Sequence, residues 1–212
     1  MPARLRPTAP IAADAILVGD PGRALVLAQE LLQQPKMSNH ARGLWGYSGV
    51  TASGHELTIQ STGMGGPSAS VVLRDLAELG VKRAIRIGTC ASLGGLGLGE
   101  TLVVVAAEAP RAASSLPDPD LTAALEEAVG GVSGVVVSFD SLHRPEAELP
   151  SMAAEAADMQ TAALLEAAQE HGVAAAAALI VTEKSDLGQL QDEELETAAK
   201  RAGRAASTIL ST

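Results

Sequence analysis

Three short segments hold the residues that could do chemistry: "GDPGR" (19–23), "STGMGGPS" (61–68) and "RIGTCASL" (86–93). Together they are rich in glycine and arginine, with Arg23 and Arg86 in the first and third. Arg86 stands apart because Val81, Ala84, Ile85 and Ile87 around it are apolar. A guanidinium in such a strand is costly unless an anion meets it, either a structural carboxylate or a bound ligand. Glycine lets the backbone approach an anion closely, and free N–H groups at a helix start bind one. Arg23 and Arg86 could supply forked charge, and the Thr89 hydroxyl a further hydrogen bond. Taken singly, these residues have plainer readings: a solvated helix face, a core ion pair, ordinary turns. Taken together they read as a phosphate site.

The elements that must position them follow from periodicity. "AILVGD" is a buried strand ended by Gly19 and Asp20, and "GRALVLAQELLQQ" has helical spacing, with Leu25, Ala28, Leu31 and Leu32 on one side. "GLWGYSGVTASGHELTIQST" alternates and breaks at Ser53 and Gly54, as a hairpin does. "SASVVLRDLAELG" is a helix closed by Gly80, with Pro67 near its first turn. "VKRAIRIGT", "TLVVVAAEA", "GVVVSFD" and "AAAALIVTE" are strands. "DPDLTAALEEAVG", the alanine-rich "AEAADMQTAALLEAAQEHG" and "DEELETAAKRAGRAASTIL" are helices. The alternation predicts an α/β fold, a three-layer α/β/α sandwich with a mixed central sheet, in one domain over 1–212. In an open sheet of this kind ligands gather at the carboxyl ends of strands, where all three glycine-rich segments fall.

Composition narrows the function classes. The 212 residues carry a net charge of −10, which argues against a nucleic-acid or anionic-membrane partner. Arginines in so acidic a chain serve a small anion or local ion pairs. Cys90 is the only cysteine, so no intrachain disulfide forms and a reducing, cytoplasmic setting is expected. The histidines at 40, 55, 143 and 171 lack metal-ligand spacing, so no metal is expected. The opening "MPARLRPTAPIAAD" does not read as a secretory signal, and "GVAAAAALIV" is too short to span a bilayer. Gly63, Gly65 and Ser68 nearly match a dinucleotide fingerprint. They follow the third predicted strand, however, and "VKRAIRIG" stands where a ribose-binding acid belongs.

"GDPGRALVLA", "STGMGGPSASVVLRDLAELGVKRAIRIGT" and the "DMQTAALLEAAQEHG" helix resemble the family of uridine phosphorylases and hexameric purine nucleoside phosphorylases. The match is close from about residue 15 to 105 and looser from 132 onward. The resemblance implies phosphorolysis: phosphate attacks the anomeric carbon of a nucleoside and releases the base and ribose 1-phosphate. Inorganic phosphate is then a co-substrate, and no cofactor is implied. Gly19, Arg23, Arg86 and Thr89 look like the family's phosphate ligands. Arg42 of "NHARG" looks like the arginine a neighbouring subunit donates, which implies a homodimer as minimal unit within a hexamer. Trp45 and Tyr47 are then the expected interface anchors. Met64 looks like the residue under the ribose, and Met159 and Gln160 fall at the family's ribose-binding segment.

The chain departs from the family pattern in places. Gln160 stands where the family has a glutamate, and a neutral amide grips hydroxyls less strongly. No histidine precedes His40 to be given across a dimer. Leu142 occupies the place of the aromatic that stacks on the base, and Phe139, a strand neighbour, points elsewhere. The Gln and Arg that read uracil are absent, and "HRPEAE" lies there instead. For the general acid, counting without a gap from Gly172 gives Glu183, whereas matching "TEKSD" by its letters gives Asp186 with an insertion. The ungapped count favours Glu183. A hydrolytic nucleosidase of the same fold and a member that binds without turnover remain alternatives at this level.

Overall fold

A computed structural model describes residues 4–110, 113–141, 154–184 and 188–212. Ten strands form one mixed sheet in the order β10-β9-β6-β7-β8-β5-β1-β4-β3-β2. The parallel centre consists of β1 (Asp14–Val18), β4 (Glu56–Ser61), β5 (Arg83–Ser92) and β9 (Ala174–Lys184). β3 (Gly46–Thr51) and β2 (Leu32–Asn39) extend it antiparallel at one edge. At the other end β9 also pairs with β6 (Thr101–Glu108), β6 with β7 (Val132–Ser138), β7 with β8 (Ala156–Asp158), and β8 returns to β5. That half of the sheet therefore closes on itself in a five-strand circuit. The two-residue β10 (Gly188–Gln189) pairs with the end of β9.

The strands' side chains alternate between two apolar layers, as period-two geometry requires. Ala15, Leu17, Ala84, Ala177 and Leu179 face α2 (Gly66–Glu78) and α4 (Thr161–His171). Ile16, Val18, Ile85, Ile87, Ala176 and Ala178 face α1 (Pro21–Leu31), α3 (Pro119–Val129) and α5 (Asp192–Leu210). The three-layer sandwich expected from the sequence is the fold observed. Arg86 shares the parity of Ala84, so it points to the α2/α4 side.

Two elements differ from the sequence expectation. The first helix stops at Leu31, and Leu32 opens β2, which carries a bulge between Gln33 and Lys36. Gln34 has φ 48° and precedes Pro35, a residue that disfavours helix at the position before it. The alanine-rich stretch is not helical from residue 154: Ala156–Asp158 pairs with β5 and β7, and α4 begins at Thr161. Helix propensity yields there to strand pairing and to a cap. Asp158 accepts the Thr161 N–H at 3.1 Å, and Ser138 Oγ accepts that of Ala162 at 2.9 Å.

Candidate active site

The parallel strands end side by side, and a cavity of about 390 Å³ opens at their carboxyl ends. Gly19 and Arg23 reach it from the β1–α1 turn, and Gly63, Met64 and Gly65 from the β4–α2 turn. Arg86, Thr89 and Cys90 reach it from β5, Asp158, Met159 and Gln160 from the β8–α4 turn, and Glu183 from β9. The three glycine-rich segments singled out in the sequence thus meet at one place. Gly63 (φ 74°) and Gly65 (φ 82°) both adopt the left-handed region that their turn requires.

Arg86 is 3 % exposed, the most buried of the three arginines named above. Its partners are structural. Nε donates to Thr161 Oγ1 at 3.1 Å, Nη1 to Gln160 Oε1 at 2.7 Å and Nη2 to Asp158 Oδ2 at 3.2 Å. The anion that meets it within the chain is therefore Asp158, itself 2 % exposed. Asp158 also accepts from Ser138 Oγ and Thr161 Oγ1, each at 2.5 Å. A guanidinium has five N–H donors. Three are engaged here, leaving one on each Nη beside the cavity. Gly88 makes this arrangement fit. A Cβ there would lie 2.7 Å from Arg86 Nη2 and 2.6 Å from Leu179 Cδ2. β5 continues past Gly88 to Ser92, so this glycine clears a path for the side chain and does not end the strand.

Arg23 is half-buried and sits in the first turn of α1, where Asp20 Oδ1 accepts its backbone N–H at 2.7 Å. Its pKa is lowered, first by burial and further by the charge of Arg86, while Asp20 opposes both. The two guanidiniums thus repel one another at the same cavity. Cys90 lies in the same wall, its thiol pushed up to about 12, mainly by burial and then by Asp158. It stays protonated and is no nucleophile at neutral pH.

Gln160 is 4 % exposed and its amide is fully committed. Nε2 donates to Gly63 O at 2.6 Å and to Gly65 O at 3.4 Å. Oε1 accepts from Arg86 and from Thr62 Oγ1, the latter at 3.1 Å. Met64 is 82 % exposed over the cavity, and Met159 is half-buried in its wall. Glu183 is exposed at the rim. Leu142 and Asp186 lie outside the described residues. Phe139 packs with Val137 and Ala157 in a small cluster and is not part of the cavity wall.

Arg42 does not line this cavity. It is exposed on a short 3-10 turn with φ 61°, a conformation uncommon for a side chain other than glycine. Asn39 Nδ2 donates to Leu44 O at 2.5 Å, and Gln60 Nε2 to Leu44 O at 2.9 Å, so two buried amides hold that turn. Trp45 is 37 % exposed beside it. The expectation that Tyr47 anchors an interface is overturned, because Tyr47 is 6 % exposed in the core layer under α1. In β3 it pairs with Ile59 and faces inward, two residues from Trp45.

The sequence reasoning missed Asp158, Thr161, Ser138 and the spacing role of Gly88. A signal for Asp158 was present: aspartate three residues before a helical N–H is a cap pattern. A helix assumed to start at residue 154 concealed it. Among the described residues no group of three His, Cys, Asp or Glu could hold a metal ion. Among the same residues no helix is long and apolar enough to cross a membrane.

Comparison with known proteins gives a consistent result. The profile of the phosphorylase superfamily matches residues 14–212. The purine nucleoside phosphorylase DeoD-type of Caldanaerobacter subterraneus subsp. tengcongensis is 30 % identical over 205 residues, covering 87 % of this chain and 88 % of that protein. The protein of the same name from Alkaliphilus metalliredigens is also 30 % identical, over 87 % and 88 %. That of Oceanobacillus iheyensis is 43 % identical over 84 residues, 39 % of this chain and 35 % of its own. The chain belongs to the phosphorylase superfamily, and within it to the nucleoside phosphorylases.

Proposed function

We propose that the cavity binds inorganic phosphate against Arg23 and Arg86 and a purine nucleoside above it, and exchanges the base for phosphate at the anomeric carbon. The observation that carries the phosphate position is that two guanidiniums, Arg23 and Arg86, line one cavity, with only three of the five Arg86 N–H groups engaged among the described residues. Phosphate oxygen attacks as the glycosidic bond lengthens, and the clamped anion supports the cationic sugar. Met64 and Met159 bound the sugar from the apolar side, with Gln160 beneath them. The bond's electrons pass into the base, whose N7 then takes a proton or hydrogen bond. Glu183, exposed at the cavity rim, is the candidate acid, and Asp186 is the other. The full names of the relatives, each a purine enzyme, support the choice of base.

Arg42, Trp45 and the amide-held turn between them support a second copy of the chain that receives Arg42 in its own cavity. A homodimer is then the minimal unit and a hexamer the fuller assembly. No cofactor enters this chemistry, the domain spans 1–212, and a lone buried thiol suits the cytoplasm. Inosine set against uridine at saturating phosphate tests the base, with Glu183→Gln and Asp186→Asn testing the acid. Faster inosine cleavage, with turnover lost far more than binding in one of the variants, is expected. Faster uridine cleavage, or no effect of either substitution, contradicts the reading.

A further inference from the structure

Arg42 carries its charge outward on a strained turn. It has φ 61° and Gly43 after it φ 70°, so two consecutive residues lie in the left-handed region. A residue other than glycine persists there only where its surroundings over-determine it, and such strain gathers at functional sites. Among the described residues Arg42 makes no hydrogen bond and no ion pair. What holds the turn lies beneath it. Gln60 on β4 and Asn39 at the end of β2 are both fully buried. Leu44 O accepts from Asn39 Nδ2 at 2.5 Å and from Gln60 Nε2 at 2.9 Å, which uses both of its lone pairs. Gln60 Nε2 also lies 3.3 Å from Trp45 O, and Asn39 Nδ2 3.4 Å from Ala41 O. The two amides thus grip the backbone on both sides of Arg42. For Gln60 this carries a penalty. Its Oε1 is buried with no hydrogen-bond partner among the described residues, against Gly46, where a Cβ would collide with it. An apolar side chain would avoid that penalty, so what Gln60 gains is on its donor side, toward the turn.

We propose that Gln60 is a positioning residue that acts across the subunit boundary: with Asn39 it holds the turn so that Arg42 stands ready for the phosphate of a neighbouring copy. The inference rests on the shared-site reading of Arg42. Neither amide lines the cavity of its own subunit. One route into that cavity does exist. A Cβ on Gly63 would lie 3.1 Å from Leu44 Cδ2, so the turn packs on a wall of its own cavity. A loosened turn can therefore harm its own subunit's cavity or its neighbour's, and the proposal requires the second.

Subunit mixing separates the two. Inorganic phosphate is the probe, and calorimetry reads its affinity. Gln60→Met keeps the length of the side chain and loses its donors. On its own it is expected to bind phosphate about tenfold more weakly than wild type, the order of loss when a hydrogen bond to a charged group fails. Assembled with a several-fold excess of Arg86→Met subunits, which bind no phosphate but present an intact Arg42 turn, it is expected to regain wild-type affinity. Arg42→Ala, run in parallel, is expected to lose as much or more and to be restored by the same neighbours. Arg42→Ala with wild-type affinity, or without restoration, refutes the shared site and the proposal with it. Where Arg42→Ala behaves as expected, wild-type affinity in Gln60→Met, or a loss that persists beside Arg86→Met, overturns the proposal alone. Asn39→Leu removes the other donor to Leu44 O, is expected to repeat the pattern, and decides if Gln60→Met does not fold. Failure of both to fold assigns the amides to the fold and overturns the proposal as well. A wild type that binds no phosphate refutes the phosphate reading of the cavity, and the positioning role falls with it.

Discussion

Replacing Arg86 by methionine removes a charge that the fold uses and that the proposed phosphate would share. In the free protein the guanidinium meets Asp158 at 3.2 Å, with side-chain exposures of 4 % and 1 %. Taking one partner from a buried pair costs about 3–5 kcal/mol, because the other charge is left without its counter-ion. Asp158 keeps Ser138 Oγ, Thr161 Oγ1 and the Thr161 N–H as donors, which places the expected loss near the lower end, about 3 kcal/mol. The protein therefore folds but is less stable, and phosphate binding is lost. Adding Asp158→Asn removes the orphaned charge, so Arg86→Met/Asp158→Asn should regain about 1 kcal/mol or more while phosphate binding stays absent. Urea unfolding gives the stabilities and calorimetry the phosphate affinity. A single variant within about 0.5 kcal/mol of wild type, or a double variant no more stable than the single, refutes the buried-pair argument. Phosphate affinity that survives in Arg86→Met refutes the placement of the anion.

Further outcomes follow from the same geometry. Gly88→Ala puts a methyl 2.6 Å from Leu179 Cδ2 and 2.7 Å from Arg86 Nη2, so a loss of about 1–3 kcal/mol in thermal or urea unfolding is expected, together with weaker phosphate binding. Cys90 has its folded pKa raised to about 12 from a model-compound value of 9.0, so the unfolded chain loses this proton first as pH rises. Its contribution is whole below about pH 9 and is lost progressively toward pH 12; at about pH 10.5 Cys90→Ala should have lost about 2 kcal/mol less to alkali than wild type, measured by urea unfolding across that range. Mixing Arg42→Ala subunits with subunits lacking Arg86 should restore activity where neither variant alone is active, because one cavity in the mixed dimer has both arginines. No restoration counts against a shared site.

Strand and helix order was legible in the sequence because the apolar positions repeat with clear period, and α5 begins and ends where its pattern does. Arg86 and the glycine turns were legible for a different reason: polar and glycine residues in an apolar frame need an explanation. β8 was not legible. Its three residues lie in a run of alanines, and only the pairing with β7 and with β5, the latter from Ala91 to Ala157, makes them a strand. The partner of Arg86 was hidden by the same error, since Asp158 reads as one more position in a helix until the strand ends there. Tyr47 was misjudged because exposure was inferred from nearness to Arg42, whereas its position in β3 sets it in the core layer under α1.

The proposed reaction is cleavage of the nucleoside by phosphate held on Arg23 and Arg86. The most direct test follows inosine in buffer with and without inorganic phosphate and identifies the sugar released. Free base and ribose 1-phosphate are expected in equal amounts, with phosphate consumed one for one and no cleavage in its absence. Release of free ribose at an undiminished rate without phosphate would contradict that reaction.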